Sequence, residues 1–106
     1  ERPEELLGKV KTVINTRGAE GSIAYTADGV RSVPAARPGA IVDPTGAGDA
    51  FRAGYYAGRY YGHSLEGCLA YGNAAASFAL EAKGGVGRVP TWEMVEKRAG
   101  PLLAGL

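Results

Sequence analysis

The order of local signals along the chain predicts an α/β fold. A β-branched run and an Asp-Gly hairpin occupy the first third. Two long proline-free stretches with apolar residues at helical spacing follow, and a glycine-rich turn stands where a short apolar strand gives way to the first of them.

Val10 to Thr16 is rich in β-branched residues and stops at Arg17-Gly18, which predicts a strand and a tight turn. Ser22 to Thr26 and Val30 to Val33 flank Ala27-Asp28-Gly29, a hairpin signal. Pro34 to Ala40 carries two prolines and a glycine and predicts an exposed connection into the apolar pair Ile41-Val42. Helices are expected from Ala50 to about Tyr61 and from about Ser64 to Leu80, joined at Gly62-His63-Ser64 with Ser64 as N-cap. Gly84-Gly85-Val86-Gly87 breaks the second helix, and Pro90-Thr91 opens a last short helix capped by Thr91. Gly54, Gly58 and Gly62 recur every fourth residue, which in a membrane would suggest helix dimerisation. Arg52, Arg59 and the short length favour close helix packing in a water-soluble α/β domain instead.

At 106 residues and 45% hydrophobic content the chain fits one small domain and excludes two. Twelve Lys and Arg against eleven Asp and Glu give a net charge of +1, too little to hold nucleic acid or an anionic membrane by bulk electrostatics, so any bound anion must be held locally. The single cysteine, Cys68, cannot form an internal disulfide and is expected to be a buried thiol, which fits a reducing, cytoplasmic location. Nothing approaches the apolar length of a membrane span, and charges in Glu1 to Lys11 argue against a signal peptide. The first residue is not Met, and Pro3 to Leu7 followed by Gly8 resembles the end of a helix, so further residues are expected upstream.

Asp43-Pro44-Thr45-Gly46-Ala47-Gly48-Asp49-Ala50-Phe51 is the most informative string. Small residues between a strand and a helix start let backbone N–H groups converge, and the helix dipole adds positive potential, so the natural guest is a phosphate. A Walker A loop is excluded because no lysine stands nearby, and a dinucleotide fingerprint because Phe51 occupies the place of the third glycine. A carboxylate at Asp49 would weaken a pure anion loop. It could serve as a helix-capping acid, or it could accept the proton of an attacking hydroxyl while neighbouring amides hold charge on a transferred phosphoryl group.

The whole string is similar to the second signature of PfkB/ribokinase-like kinases. The resemblance implies a ribokinase-like three-layer α/β/α fold with a mostly parallel sheet and the hairpin from Ser22 to Val33 toward one edge. Residues 1–106 would form the carboxy-terminal part of such a kinase domain. It further implies that Gly46, Ala47 and Gly48 form the anion hole for the γ-phosphate of ATP and that Asp49 is the base. Asp43 and Thr45 match a monovalent-cation site in members activated by K+. Thr16-Arg17-Gly18-Ala19-Glu20-Gly21-Ser22 looks like the family's Thr-x-Gly-x-x-Gly turn near the nucleotide, through Thr16, Gly18 and Gly21. Asn73 matches a position bordering the adenine pocket, and Lys83 to Gly87, including Gly85, matches the loop closing the cation and adenine sites. Arg88 replaces the small hydroxyl residue of many potassium-dependent members, a departure at the cation site.

Mg2+ is implied as the companion of ATP, but the acidic motif associated with it, the sugar-binding glycine motif and the β-sheet lid have no counterpart here. The implied substrate is a primary hydroxyl of a sugar or nucleoside, and the family allows a homodimer of the intact protein. Phe51-Arg52-Ala53-Gly54 looks like the adenosine and nucleoside kinase branch, although Arg52 reads equally as an exposed helix residue. A nucleotide- or phosphate-binding module without turnover is the competing expectation. His63 is expected to be solvated and Trp92 to pack its helix on the core. Taken alone, the segment is expected to expose apolar faces and to self-associate.

Overall fold

The computed structural model describes residues 12–16, 21–36, 46–81 and 90–106. Among them, strands β1 (Thr12–Thr16), β2 (Ser22–Thr26) and β3 (Gly29–Val33) precede helices α1 (Ala47–Tyr60), α2 (Leu65–Glu81) and α3 (Trp92–Ala104). The readings made for the chain start, Val10, Gly18, the connection from residue 37 to Val42, Asp43, Thr45, Gly84 to Gly87 and Arg88 lie outside the described residues.

The strands form an antiparallel sheet in the order β1-β2-β3. Parallel pairing does not occur among the described residues, so this sheet is the hairpin portion of the expected architecture. The hairpin forms where the Asp-Gly signal places it. Ala27 and Asp28 make the turn, Thr26 Oγ1 donates to Gly29 O at 2.9 Å, and the positive φ falls on Gly29 (φ 133). Directly opposed residues share a face, which sets Ser22, Ala24 and Val33 on the side where they are buried. The other face carries Val13, Ile23, Tyr25 and Val30, none of them buried. Of these only Val30 is exposed, and the other three are half-buried. Pro34 is exposed as expected, but Ala36 is not: it is buried with Tyr71, Ala74, Val95 and Ala99, so the connection dips into the core before residue 37.

α2 is central and packs on the sheet, on α1 and on α3. Its neighbours can approach closely because glycine faces it. A Cβ on Gly54 would stand 2.5 Å from Tyr71 O, and one on Gly58 would stand 3.2 Å from Cys68 Cα. Gly62 does a different job from the other members of its repeat. At φ 82 it reverses the chain after α1, with Gly62 N–H donating to Arg59 O and His63 N–H to Gly58 O, both at 3.0 Å, the bonding of a Schellman motif.

Both expected caps are present: Gly67 N–H donates to Ser64 Oγ at 3.1 Å, and Met94 N–H to Thr91 Oγ1 at 3.2 Å. α3 is longer than the short helix expected, because it continues through Pro101, whose missing N–H costs the helix one bond without ending it. Trp92 packs as expected, stacking on Tyr61 with centroids 5.1 Å apart and tilting on Tyr71 at 4.8 Å. His63 is exposed, with its ring 4.6 Å from that of Tyr71. Cys68 is buried. No helix among the described residues is long and apolar enough to cross a membrane.

Candidate functional site

Helix α1 begins three residues earlier than the sequence suggests, at Ala47 rather than Ala50. Gly46 takes the left-handed conformation (φ 82) that lets the chain turn straight into the helix, and an acid in the first turn suits the positive end of the dipole. Ala47, Gly48 and Asp49 are therefore helical residues. The first helical bond runs from Ala50 N–H to Gly46 O at 3.0 Å, so the amides of Ala47, Gly48 and Asp49 have no partner within the helix. Gly46, the N-cap, has no side chain with which to cap them. Among the described residues, nothing lies within 4 Å of where a Cβ on Gly48 would be.

Asp49 is the third residue of the helix, not its cap. Its carboxylate is 81% exposed and is paired through Oδ1 with Nη2 of Arg52, one turn on. The acid thus stands at the mouth of the amide group with its side chain outside the core.

Beside this helix start lies a cleft of about 50 Å3. It is lined by Thr16 and Gly21 from the ends of β1 and β2, by Ala35 and Ala36 after β3, by Ala47, Gly48 and Phe51 from α1, and by Asn73, Ala76, Ser77 and Leu80 from α2. Five residues singled out from the sequence, Thr16, Gly21, Ala47, Gly48 and Asn73, thus meet in one place, with Gly46 and Asp49 adjoining along the chain. Gly18, Gly85, Asp43 and Thr45 lie outside the described residues.

Gly21 permits a close crossing there, since at φ 100 a Cβ would stand 2.2 Å from Val33 O. Asn73 is buried and spends its amide on the backbone: Nδ2 donates to Val33 O at 3.0 Å and to Pro34 O at 2.9 Å. It borders the cleft and at the same time pins the end of β3 to α2. Ala76, Ser77 and Leu80 were not singled out from the sequence, although positions three, four and seven after Asn73 fall on the same helix face and could have been found that way. No group of three or more metal-ligating side chains occurs among the described residues.

Residues 3–92 match the model of the pfkB family carbohydrate kinases. The chain belongs to that family. It is 42% identical over 95 residues to the nucleoside kinase of Methanocaldococcus jannaschii, covering 90% of this chain and 32% of that protein. It is 36% identical over 87 residues to the 5-dehydro-2-deoxygluconokinase of Geobacillus thermodenitrificans, covering 82% and 26%. The crystal structure of the M. jannaschii nucleoside kinase, an archaeal member of the ribokinase family, superposes with a TM-score of 0.87 at 40% identity over 95% of this chain and 34% of that one. The Burkholderia thailandensis nucleoside kinase in complex with ADP-inosine gives a TM-score of 0.87 at 28% identity, covering 95% and 32%. This pfkB-family chain therefore carries part of a ribokinase-like α/β fold, and it spans between about a quarter and a third of the length of the relatives it matches.

Proposed function

We propose that this chain is the phosphate-handling, carboxy-terminal part of an ATP-dependent kinase that phosphorylates a hydroxyl of a nucleoside, with a sugar as the alternative acceptor. The observation that carries the reading is the start of α1, where three amides without a partner inside the helix, a Gly48 with no described residue in front of it and an outward carboxylate at Asp49 occupy a single helical turn.

In that arrangement the Asp49 carboxylate accepts the proton of the acceptor hydroxyl as its oxygen attacks the γ-phosphorus. The bond from that phosphorus to the β-γ bridging oxygen breaks, ADP leaves, and charge on the transferring group is met by the N–H groups that follow Gly46. Because the transition state is loose, the proton moves late, so a correctly oriented ordinary carboxylate suffices. Arg52 restrains the carboxylate from the next turn.

The cleft fits the rest of a nucleotide by its chemistry, with small apolar side chains at Ala35, Ala36, Ala76 and Leu80 and few polar groups. At about 50 Å3 the described lining is a wall for a purine rather than an enclosure. Mg2+, when bound, would neutralise phosphate charge. Among the described residues no group of three or more metal-ligating side chains joins Asp49 to make a site for it. The cation role of Asp43 and Thr45 toward K+, a cytoplasmic location and a homodimer remain parts of this proposal.

A nucleoside acceptor is favoured by the 42% identity to a nucleoside kinase and by Arg52 in the Phe51-Arg52-Ala53-Gly54 string. The test is transfer of labelled γ-phosphate from ATP by the complete protein to a panel of nucleosides, sugars and sugar acids. Transfer to a nucleoside is expected. Nucleotide binding with no transfer to any acceptor would instead support a binding module.

A further inference from the structure

Arg98 of α3 lies beyond residues 3–92, the span matched by the family model, yet it is wired to the wall of the cleft. Its Nη1 donates to Ser77 Oγ at 3.0 Å and to Glu81 Oε1 at 2.5 Å, and its guanidinium carbon sits 3.6 Å from the centroid of the Phe78 ring. One side chain thus engages three residues in the last turns of α2, and Ser77, with Ala76 and Leu80, lines the cleft.

Two physical needs are met by these contacts. Ser77 is 1% exposed, and its hydroxyl hydrogen is committed to Ala74 O at 2.6 Å, so its buried lone pairs require a donor, which Arg98 provides. Glu81 places a carboxylate at the negative end of the α2 dipole, and the last turn of that helix contains no basic residue. Arg98 brings a positive charge to this end from the neighbouring helix. It is only a quarter exposed, so this pair is screened less than a surface ion pair.

We propose that Arg98 is a positioning residue for the nucleotide cleft: by fixing the Ser77 hydroxyl and the end of α2 from behind, it sets the wall against which the nucleotide lies. This rests on the reading of the cleft as the nucleotide site, and it predicts an effect on nucleotide affinity separate from phosphoryl transfer.

The experiment compares the complete protein with its Arg98→Met, Arg98→Lys and Ser77→Ala variants by calorimetric titration with ADP and by steady-state kinetics with ATP and the acceptor. Arg98→Met is expected to weaken ADP binding and raise the KM for ATP about tenfold, as loss of a charge-assisted contact set would, while kcat and the acceptor KM change less than about twofold. Arg98→Lys should recover part of the affinity, since an ammonium can pair with Glu81 but cannot also serve Ser77 in the stacked geometry. Ser77→Ala in the Arg98→Met background should add no further loss. Unchanged ADP affinity in both arginine variants, with only a lowered melting temperature, would overturn the positioning role. Failure of the unaltered protein to bind ADP at all would overturn the cleft reading itself, and the role of Arg98 with it.

Discussion

A Cβ on Gly72 would stand 2.5 Å from the Phe51 ring, so the absence of a side chain at Gly72 is what seats Phe51 against α2. Phe51 is buried, lies two residues after Asp49 and lines the cleft, and its seat therefore fixes how α1 begins. Gly72→Ala should cost about 2 kcal/mol of stability through overpacking, read from the urea midpoint. Phe51→Leu in the same chain should recover part of that loss, because it removes the ring atoms that clash.

Gly48 is the opposite case. With no described residue near its Cβ position and a helical conformation, Gly48→Ala should leave the fold intact and raise helix stability by up to about 1 kcal/mol. The added methyl group would project from the first turn, where the phosphate is proposed to sit. A melting temperature unchanged or higher, together with a loss of phosphoryl transfer, is the expected outcome. Full activity in this variant would show that the turn does not need to be approached closely.

Asn73 holds two carbonyls at once. Asn73→Ala should lose about 2 kcal/mol by leaving the buried carbonyl of Val33 without its partner and freeing the end of β3. Asn73→Asp should be worse, since a carboxylate would face two carbonyl oxygens at the distances now occupied by a donor. Chemical denaturation of the two variants gives the ranking directly.

Burial pushes the Cys68 thiol above its ordinary value of 9.0, and burial likewise pushes the Tyr55 and Tyr71 phenols above 10.0. A group with a raised folded-state pKa holds its proton more tightly when folded, so stability is level below the unfolded value and falls as pH rises past it. Stability should therefore be flat in these groups up to about pH 9 and decline above it. Cys68 should resist alkylation at pH 8 in the folded protein and react once the protein is denatured.

Local signals carried much of the fold. The Asp-Gly pair located the hairpin, Ser64 and Thr91 announced their helices, and Gly54 and Gly58 foretold a close helix contact, because each of these effects is decided by a residue and its immediate neighbours. The start of α1 was misplaced by three residues since Ala47-Gly48-Asp49 has weak helix propensity by itself, and the left-handed Gly46 that launches the helix is a backbone choice that composition does not reveal. The candidate site was legible through its signature string, and Thr16, Gly21 and Asn73, singled out with it, line the same cleft. Arg98 was not legible, because its contacts with Ser77, Phe78 and Glu81 join two helices and exist only once these pack.

The assignment of Asp49 as base meets its most direct test in Asp49→Asn, measured in the complete protein by single-turnover phosphate transfer alongside ADP titration. Asparagine keeps the shape but cannot take a proton, so transfer should fall by a factor of about 100 or more while ADP affinity is kept. Phosphate transfer at the unaltered rate by that variant would contradict the base role of Asp49 and with it the proposed chemistry of the α1 turn.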